Sequence, residues 1–297
     1  MDPRSGDKNV AKVTDRCFEA TGHSAFICDF SPPRTGDPQS FAQPNLDANF
    51  ISVAYNPGRA VRVNSAMLAA AIKGETRKDV LFTLATRDMN KLALESLLLG
   101  GQILGLDNVV VVQGDPFTQR DLDRVKDVSD FTPTQMISAI AAMNLGTDYR
   151  EGQLRSPTDY CVGATLDLGR GIEAEAQLAH RKVQAGAHFF ISQPIFDVDE
   201  ASLFREAFKA AAGHDLELPV FFGLQVLEQD GIIFSSVPET VRQELEQGRP
   251  GVEIALELFH RFQQAGLHNI YLVPPIRRGG ARGYGAAREV LAAVERL

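Results

Sequence analysis

The chain has no tryptophan and only three cysteines in 297 residues. Cys17, Cys28 and Cys161 share no metal-ligand spacing and are too sparse for a disulfide framework. Cys28 and Cys161 stand in apolar runs and read as small core residues. No run of lysine and arginine marks a nucleic-acid footprint, and the formal net charge of -8 with a pI near 5.3 argues against a polyanion partner. No apolar stretch reaches the length of a membrane span. The charged N-terminus lacks a signal-peptide core, so a soluble cytoplasmic protein is expected. Repeats and low-complexity segments are missing. So are a Walker loop, a nucleophile elbow and a zinc signature. Gly163, Gly169 and Gly171 do not give the spacing of a dinucleotide fingerprint. A nucleotide cofactor would have to lie on loops at a barrel mouth.

What the chain does have is alternation. Eight short apolar runs, at 25–30, 50–54, 80–84, 109–112, 160–165, 189–192, 220–224 and 269–273, are separated by helical patterns. The runs are continuously apolar, as in parallel strands covered on both faces. Asn64 or Ser65 caps a helix to Lys73, and Asp88 or Asn90 starts one ending near Leu104. Thr132-Pro133 reads as a cap and first helical residue. Ile172, Ala176, Ala179 and Val183 share one face of a helix that stops before Gly186. Further helices are expected at 199–212, 238–247, 251–265 and 285–296. Eight strands in strict alternation predict an α/β protein, a (β/α)8 barrel over 25–297 preceded by an N-terminal extension and helix over 1–24. A doubly wound open sheet is the rival. The pair Gly100-Gly101 inside a helix reads as a site of close packing.

Three strands end in a polar residue. Asp29 closes the first, before Ser31-Pro32-Pro33-Arg34. Gln113-Gly114-Asp115-Pro116 follows the fourth, and Gln193-Pro194 the sixth. A carboxylate in an otherwise buried strand is costly unless it is paired or does chemistry. Barrel enzymes place their sites on the loops after the strands, and Arg87 and Asp88 obey the same rule. Asp115 also suits a turn cap, and Gln193 a strand-to-helix cap.

In order and spacing, several stretches resemble the methylenetetrahydrofolate reductase family from about Ala25 to Leu291. They are Asp29-Phe30-Ser31-Pro32-Pro33-Arg34, Ser52-Val53-Ala54-Tyr55, Thr86-Arg87-Asp88-Met89-Asn90, Leu104-Gly105-Leu106-Asp107-Asn108-Val109, Gly114-Asp115-Pro116, Arg181-Lys182-Val183-Gln184-Ala185-Gly186-Ala187, Ile191-Ser192-Gln193-Pro194-Ile195-Phe196-Asp197 and Ile270-Tyr271-Leu272-Val273-Pro274-Pro275. The chain is most similar to the branch sometimes fused to a homocysteine methyltransferase domain.

The resemblance implies a (β/α)8 barrel carrying FAD at its C-terminal face. It implies hydride transfer from NADH or NADPH to FAD, and then to methylenetetrahydrofolate. Asp29 would be the acid that protonates the folate so that its five-membered ring opens to an iminium. Asp115 would sit near flavin and pterin, and Gln193 would bind the pterin. Thr83, Ala85, Arg87, Asp88, Gln113, Gly114 and Ala164 would line the flavin. Glu175 and Lys182 would reach its ribose and diphosphate, and Arg278 would meet the folate glutamate. Without the resemblance, Glu175, Lys182 and Arg278 read as surface charges. A homo-oligomer and a methyltransferase partner are further expectations.

The chain departs from the family pattern in three places. Asp29 stands where better-known members have Glu, and is shorter by about 1.5 Å. Gln113 stands where many have Arg, which removes a diphosphate contact. Gly163-Ala164-Thr165-Leu166-Asp167 replaces a Tyr-Pro-Glu-x-His stretch. Two further readings therefore stand beside the flavoenzyme. One is an oxidoreductase working on another tetrahydropterin or by direct hydride transfer without flavin. The other is a folate- or flavin-binding subunit serving a methyltransferase.

Overall fold

The computed structural model describes residues 11–19, 24–40, 44–233, 237–277 and 280–295. Eight parallel strands close into a barrel in sequence order, which excludes the open sheet. They are β1 (Ala25–Phe30), β2 (Phe50–Val53), β3 (Asp79–Ala85), β4 (Asn108–Val112), β5 (Cys161–Leu166), β6 (Phe189–Pro194), β7 (Val220–Gln225) and β8 (Asn269–Val273). The helices are α1 (Val13–Glu19), α2 (Ser65–Thr76), α3 (Lys91–Ile103), α4 (Gln119–Leu122), α5 (Pro133–Asn144), α6 (Ile172–Gln184), α7 (Asp199–Ala212), α8 (Glu239–Glu246), α9 (Gly251–Gln264) and α10 (Tyr284–Val294). The short helix α4 falls where no helix was expected.

The caps explain the helix starts. The Asn64 side chain accepts from Ala66 and Met67, and Asn90 from Ala93. Thr132 and Gln135 form a capping box ahead of Pro133. Of the two candidates before α3, Asn90 is the cap. The glycine pair divides. A Cβ on Gly101 would stand 2.6 Å from the Tyr160 hydroxyl, which donates to the Leu98 carbonyl at 2.6 Å, whereas one on Gly100 would meet nothing. Gly101 alone is a packing requirement.

Strand alternation splits the core in two. Ala25, Ile27, Phe50, Leu81, Val110, Cys161, Phe189, Ile191 and Phe221 fill the barrel interior. Their neighbours, including Cys28, Val53, Phe82, Val162 and Leu272, pack outward against the helices. Val13 of α1 is buried with the interior set, and its N–H donates to Asn108 Oδ1 at 2.9 Å. Helix α1 thereby closes the N-terminal end of the barrel. The opposite end is left for polar groups.

Candidate active site

The interior parity that buries Ala25 and Ile27 puts Asp29 inside the barrel at its C-terminal end. The same parity brings Ser52, Thr83, Thr165, Gln193, Gln225 and Tyr271 to that mouth. Asp29 is only 5% exposed. Its Oδ1 accepts from the Tyr271 hydroxyl at 3.0 Å, and its Oδ2 from Arg282 Nε at 2.9 Å. The Arg282 side chain is itself buried. A buried carboxylate needs such partners, and no pattern along the chain pointed to Arg282. Burial and the adjacent Asp29 carboxylate push the Tyr271 hydroxyl well above its usual range, and Ser52 shares a hydrogen bond with it.

Neighbouring loops brace this arc. Phe30 stacks on Tyr284 at 5.1 Å, and the Tyr284 hydroxyl accepts from the Ser31 N–H at 3.0 Å. Arg62 donates to the Pro32 carbonyl at 2.8 Å, and the Val63 N–H to that of Pro33 at 3.0 Å. The Ser-Pro-Pro turn after β1 is thus held to the loop entering α2.

The other arc is arranged differently. Arg87 is buried and grips its neighbour Asp88 through two nitrogens, at 2.6 and 2.8 Å. It also donates to the Asp115 carbonyl and lies 4.1 Å over the Phe117 ring. Asp115 is exposed, and its Oδ2 accepts from the Gly58 N–H at 3.0 Å. It ties two loops together rather than capping its own turn. Gly114 has φ +92°, and a Cβ there would touch Ala85 and Arg87 at 3.4 Å. Ala85 is buried beneath it, Thr83 is half-buried, and Gln113 is exposed. Gln193 is exposed at the end of β6, where pairing with β7 is irregular.

Three residues expected to contact the flavin are buried. Ala164 faces the helices and is fully buried, because its neighbours Gly163 and Thr165 take the inward parity. Glu175 and Lys182 are not surface charges but buried side chains of α6, 3.6 Å apart. Lys182 Nζ also donates to the Thr165 carbonyl at 2.5 Å. Burial lowers the Lys182 pKa, and Glu175 only partly offsets this. The apolar face of α6 therefore includes this pair beside Ala176 and Ala179, with Val183 only half-buried. Arg278 lies outside the described residues. Its neighbour Arg277 is exposed and paired with Glu228 at 2.8 Å.

Lys182, expected with Glu175 to reach the flavin ribose and diphosphate, is closed onto Glu175 and the Thr165 carbonyl. As placed, it presents no free cation to a flavin diphosphate.

Sequence reasoning assigned no role to Tyr271, Arg282 or Gln225. Tyr271 was legible from the two-residue period of β8. Gln225, at the end of β7, is 3% exposed, and its buried Nε2 has no partner among the described residues. Arg282 lay in an Arg- and Gly-rich stretch that shows no periodicity.

Fold and mouth together define a (β/α)8-barrel protein with a carboxylate-centred polar site at its C-terminal face. Residues 14–247 match the methylenetetrahydrofolate reductase family, and the chain belongs to it. Membership implies an oxidoreductase acting on methylenetetrahydrofolate. Among solved structures, a protein of uncharacterised function from Clostridium thermocellum, described as binding two copies of 5-methyl-5,6,7,8-tetrahydrofolic acid, is similar with TM-score 0.66 and 12% identity, over 96% of this chain and 100% of that one. The long-chain alkane monooxygenase LadA is similar with TM-score 0.54 and 10% identity, over 93% and 92%. At such identities the likeness carries the barrel fold alone. Among the described residues, no helix is long and apolar enough to cross a membrane, and no His, Cys, Asp and Glu cluster would hold a metal ion.

Proposed function

We propose that the protein reduces 5,10-methylenetetrahydrofolate to 5-methyltetrahydrofolate, with NADH or NADPH as the hydride source. The observation that carries this reading is Asp29, inward at the mouth of a barrel of this family with both oxygens engaged by Tyr271 and Arg282. Asp29 delivers a proton to a nitrogen of the folate's five-membered ring. That C–N bond then breaks to leave an iminium, and hydride adds to the methylene carbon. General acid catalysis of this kind contributes about 10²–10⁴-fold. The Tyr271 hydroxyl suits both protonation states of Asp29. It donates to the carboxylate, and by turning it accepts from the acid. The exposed Gln193 offers its amide to the pterin edge, and Asp115 holds the loop across from it.

In this family the hydride passes through FAD. The closed Glu175–Lys182 pair favours a second route, in which hydride moves directly from the nicotinamide. One anaerobic experiment tests both. The purified chain is supplied with FAD, then NADH, then methylenetetrahydrofolate, and its visible spectrum is followed. Flavin bleached by NADH and restored by the folate supports the flavin route. NADH consumed with the folate by a chain that retains no flavin supports direct transfer. No response at either step overturns the reductase reading and leaves a binding subunit for a methyltransferase.

A further inference from the structure

Helix α3 carries an apolar outer face. Between Lys91 and Asp107 its one charged residue is Glu95, and Glu95 is buried. Facing outward instead are Leu92, Leu99, Ile103 and Leu104, which are 62%, 38%, 86% and 55% exposed. Leu92, Ser96, Leu99 and Ile103 follow one another at steps of four, three and four positions, so they form one stripe along the helix. Helix α2 packs alongside, with Lys73 reaching the Gly105 carbonyl just past the end of α3, and it adds the 69% exposed Met67. Helix α7, by contrast, exposes Arg205, Glu206 and Lys209, the ordinary dress of a solvated helix.

Gly100 stands on the same stripe. A Cβ there would meet nothing within 4 Å, so no described neighbour in the chain requires a glycine. Glycine weakens a helix interior relative to alanine, and what it offers in return is room for a second helix to come close. The stripe is also complementary to itself. Turned end for end about a point between Leu97 and Leu98, it sets Leu92 opposite Ile103 and the large Leu99 opposite the small Ser96, with Gly100 beside them. A standard interface buries about 800 Å² on each partner, a little over half of it apolar. Five large apolar side chains exposed to this degree offer roughly 500 Å², close to that need and toward the upper end for a patch on a monomer.

We propose that α3, with the adjoining edge of α2, is the contact surface for a second copy of this chain, packed antiparallel about a two-fold axis that passes between Leu97 and Leu98. In such a contact residue i meets j as j meets i, so a single stripe supplies both halves of the interface. A different protein selected by charge would need a charged stripe, and this one has none. No residue placed at the mouth lies on the stripe, so the contact stands whatever reaction the mouth performs.

Sedimentation velocity of the full chain over a range of concentrations tests this. Wild type should run at twice the 32.4 kDa chain mass. The double variant Leu99→Glu with Ile103→Glu brings four like charges into the two-fold contact and should weaken the dimer by about a hundredfold or more, leaving a monomer at the same loading. Leu203→Glu, at a 51% exposed leucine of α7, should leave the dimer intact. A second measurement serves if the glutamates prevent folding. A short bis-maleimide should link Ser96→Cys, near the axis, into a covalent dimer, and should not link Ser202→Cys on the exposed side of α7. Wild type that stays monomeric up to about 100 μM overturns the contact and leaves the stripe to a different protein. A dimer that survives both glutamates, or that links through Ser202→Cys and not through Ser96→Cys, lies on another surface and overturns it as well.

Discussion

On the β8–β1–β2 arc of the mouth, a buried carboxylate and a buried guanidinium meet at 2.9 Å, and among the described residues the outer nitrogens of the guanidinium have no hydrogen-bond partner. On the β3–β6 arc, Arg87 and Lys182 are just as buried, yet their recorded contacts with Asp88, Asp115, Glu175 and Thr165 all lie within the protein. Both arcs contain a paired cation, so pairing alone does not mark a site. The difference is what remains after pairing. A charge closed on its neighbours holds loops and helices in place. A charge with donors left over is available to a ligand.

The strongest way to break that contrast is to neutralise Asp29. Asp29→Asn should lower kcat with methylenetetrahydrofolate by about 10²–10⁴-fold while the chain stays folded, since the Asn oxygen still accepts from Arg282 and its Nδ2 donates to the Tyr271 hydroxyl, which can turn to accept. Full folate turnover in this variant would remove Asp29 as the acid. Next is Arg282→Leu, which strands the buried carboxylate. It should cost about 3–5 kcal/mol in denaturant unfolding, and the double variant with Asp29→Asn should recover much of that. Lys182→Met strands Glu175 in the same way and should cost about 3 kcal/mol, relieved by Glu175→Gln. If Lys182 is purely structural, folate affinity will not follow that loss. A matching fall in affinity would erase the distinction between the arcs.

The tyrosines give a pH test. Burial and the Asp29 charge raise Tyr271 and Tyr284, and burial and Asp88 raise Tyr55 to about 12. The native state keeps these protons at a pH where the unfolded chain has lost them. Their contribution is therefore whole below about pH 10 and falls away as pH rises through the native values. The unfolding midpoint should drop above pH 10, and Tyr55→Phe should soften the drop. The smallest effect belongs to Gln193→Ala. If Gln193 meets the pterin as proposed, the variant loses a single neutral hydrogen bond and should raise the folate KM about three- to tenfold with kcat little changed.

The strands were legible because β-branched and aromatic runs bounded by turn residues leave few alternatives. Each of the eight falls within two residues of its expected ends. Asp29 and Gln193 were legible as polar residues closing apolar strands. Glu175 and Lys182 were misplaced by residue type alone. Seven positions apart on α6, they share the face of Ala176 and Ala179, and only the packing of α6 reveals that they are buried together.

The order of elements and the strand ends that carry polar side chains thus follow from periodicity, which is local and written along the chain; that the sheet closes is decided by the tertiary structure. The partner of Asp29 does not. Arg282 stands 253 positions away, in a stretch without pattern, and reaches Asp29 because β8 and β1 close the barrel side by side. The sequence supplied the carboxylate. Only the closure of the barrel decided which cation holds it.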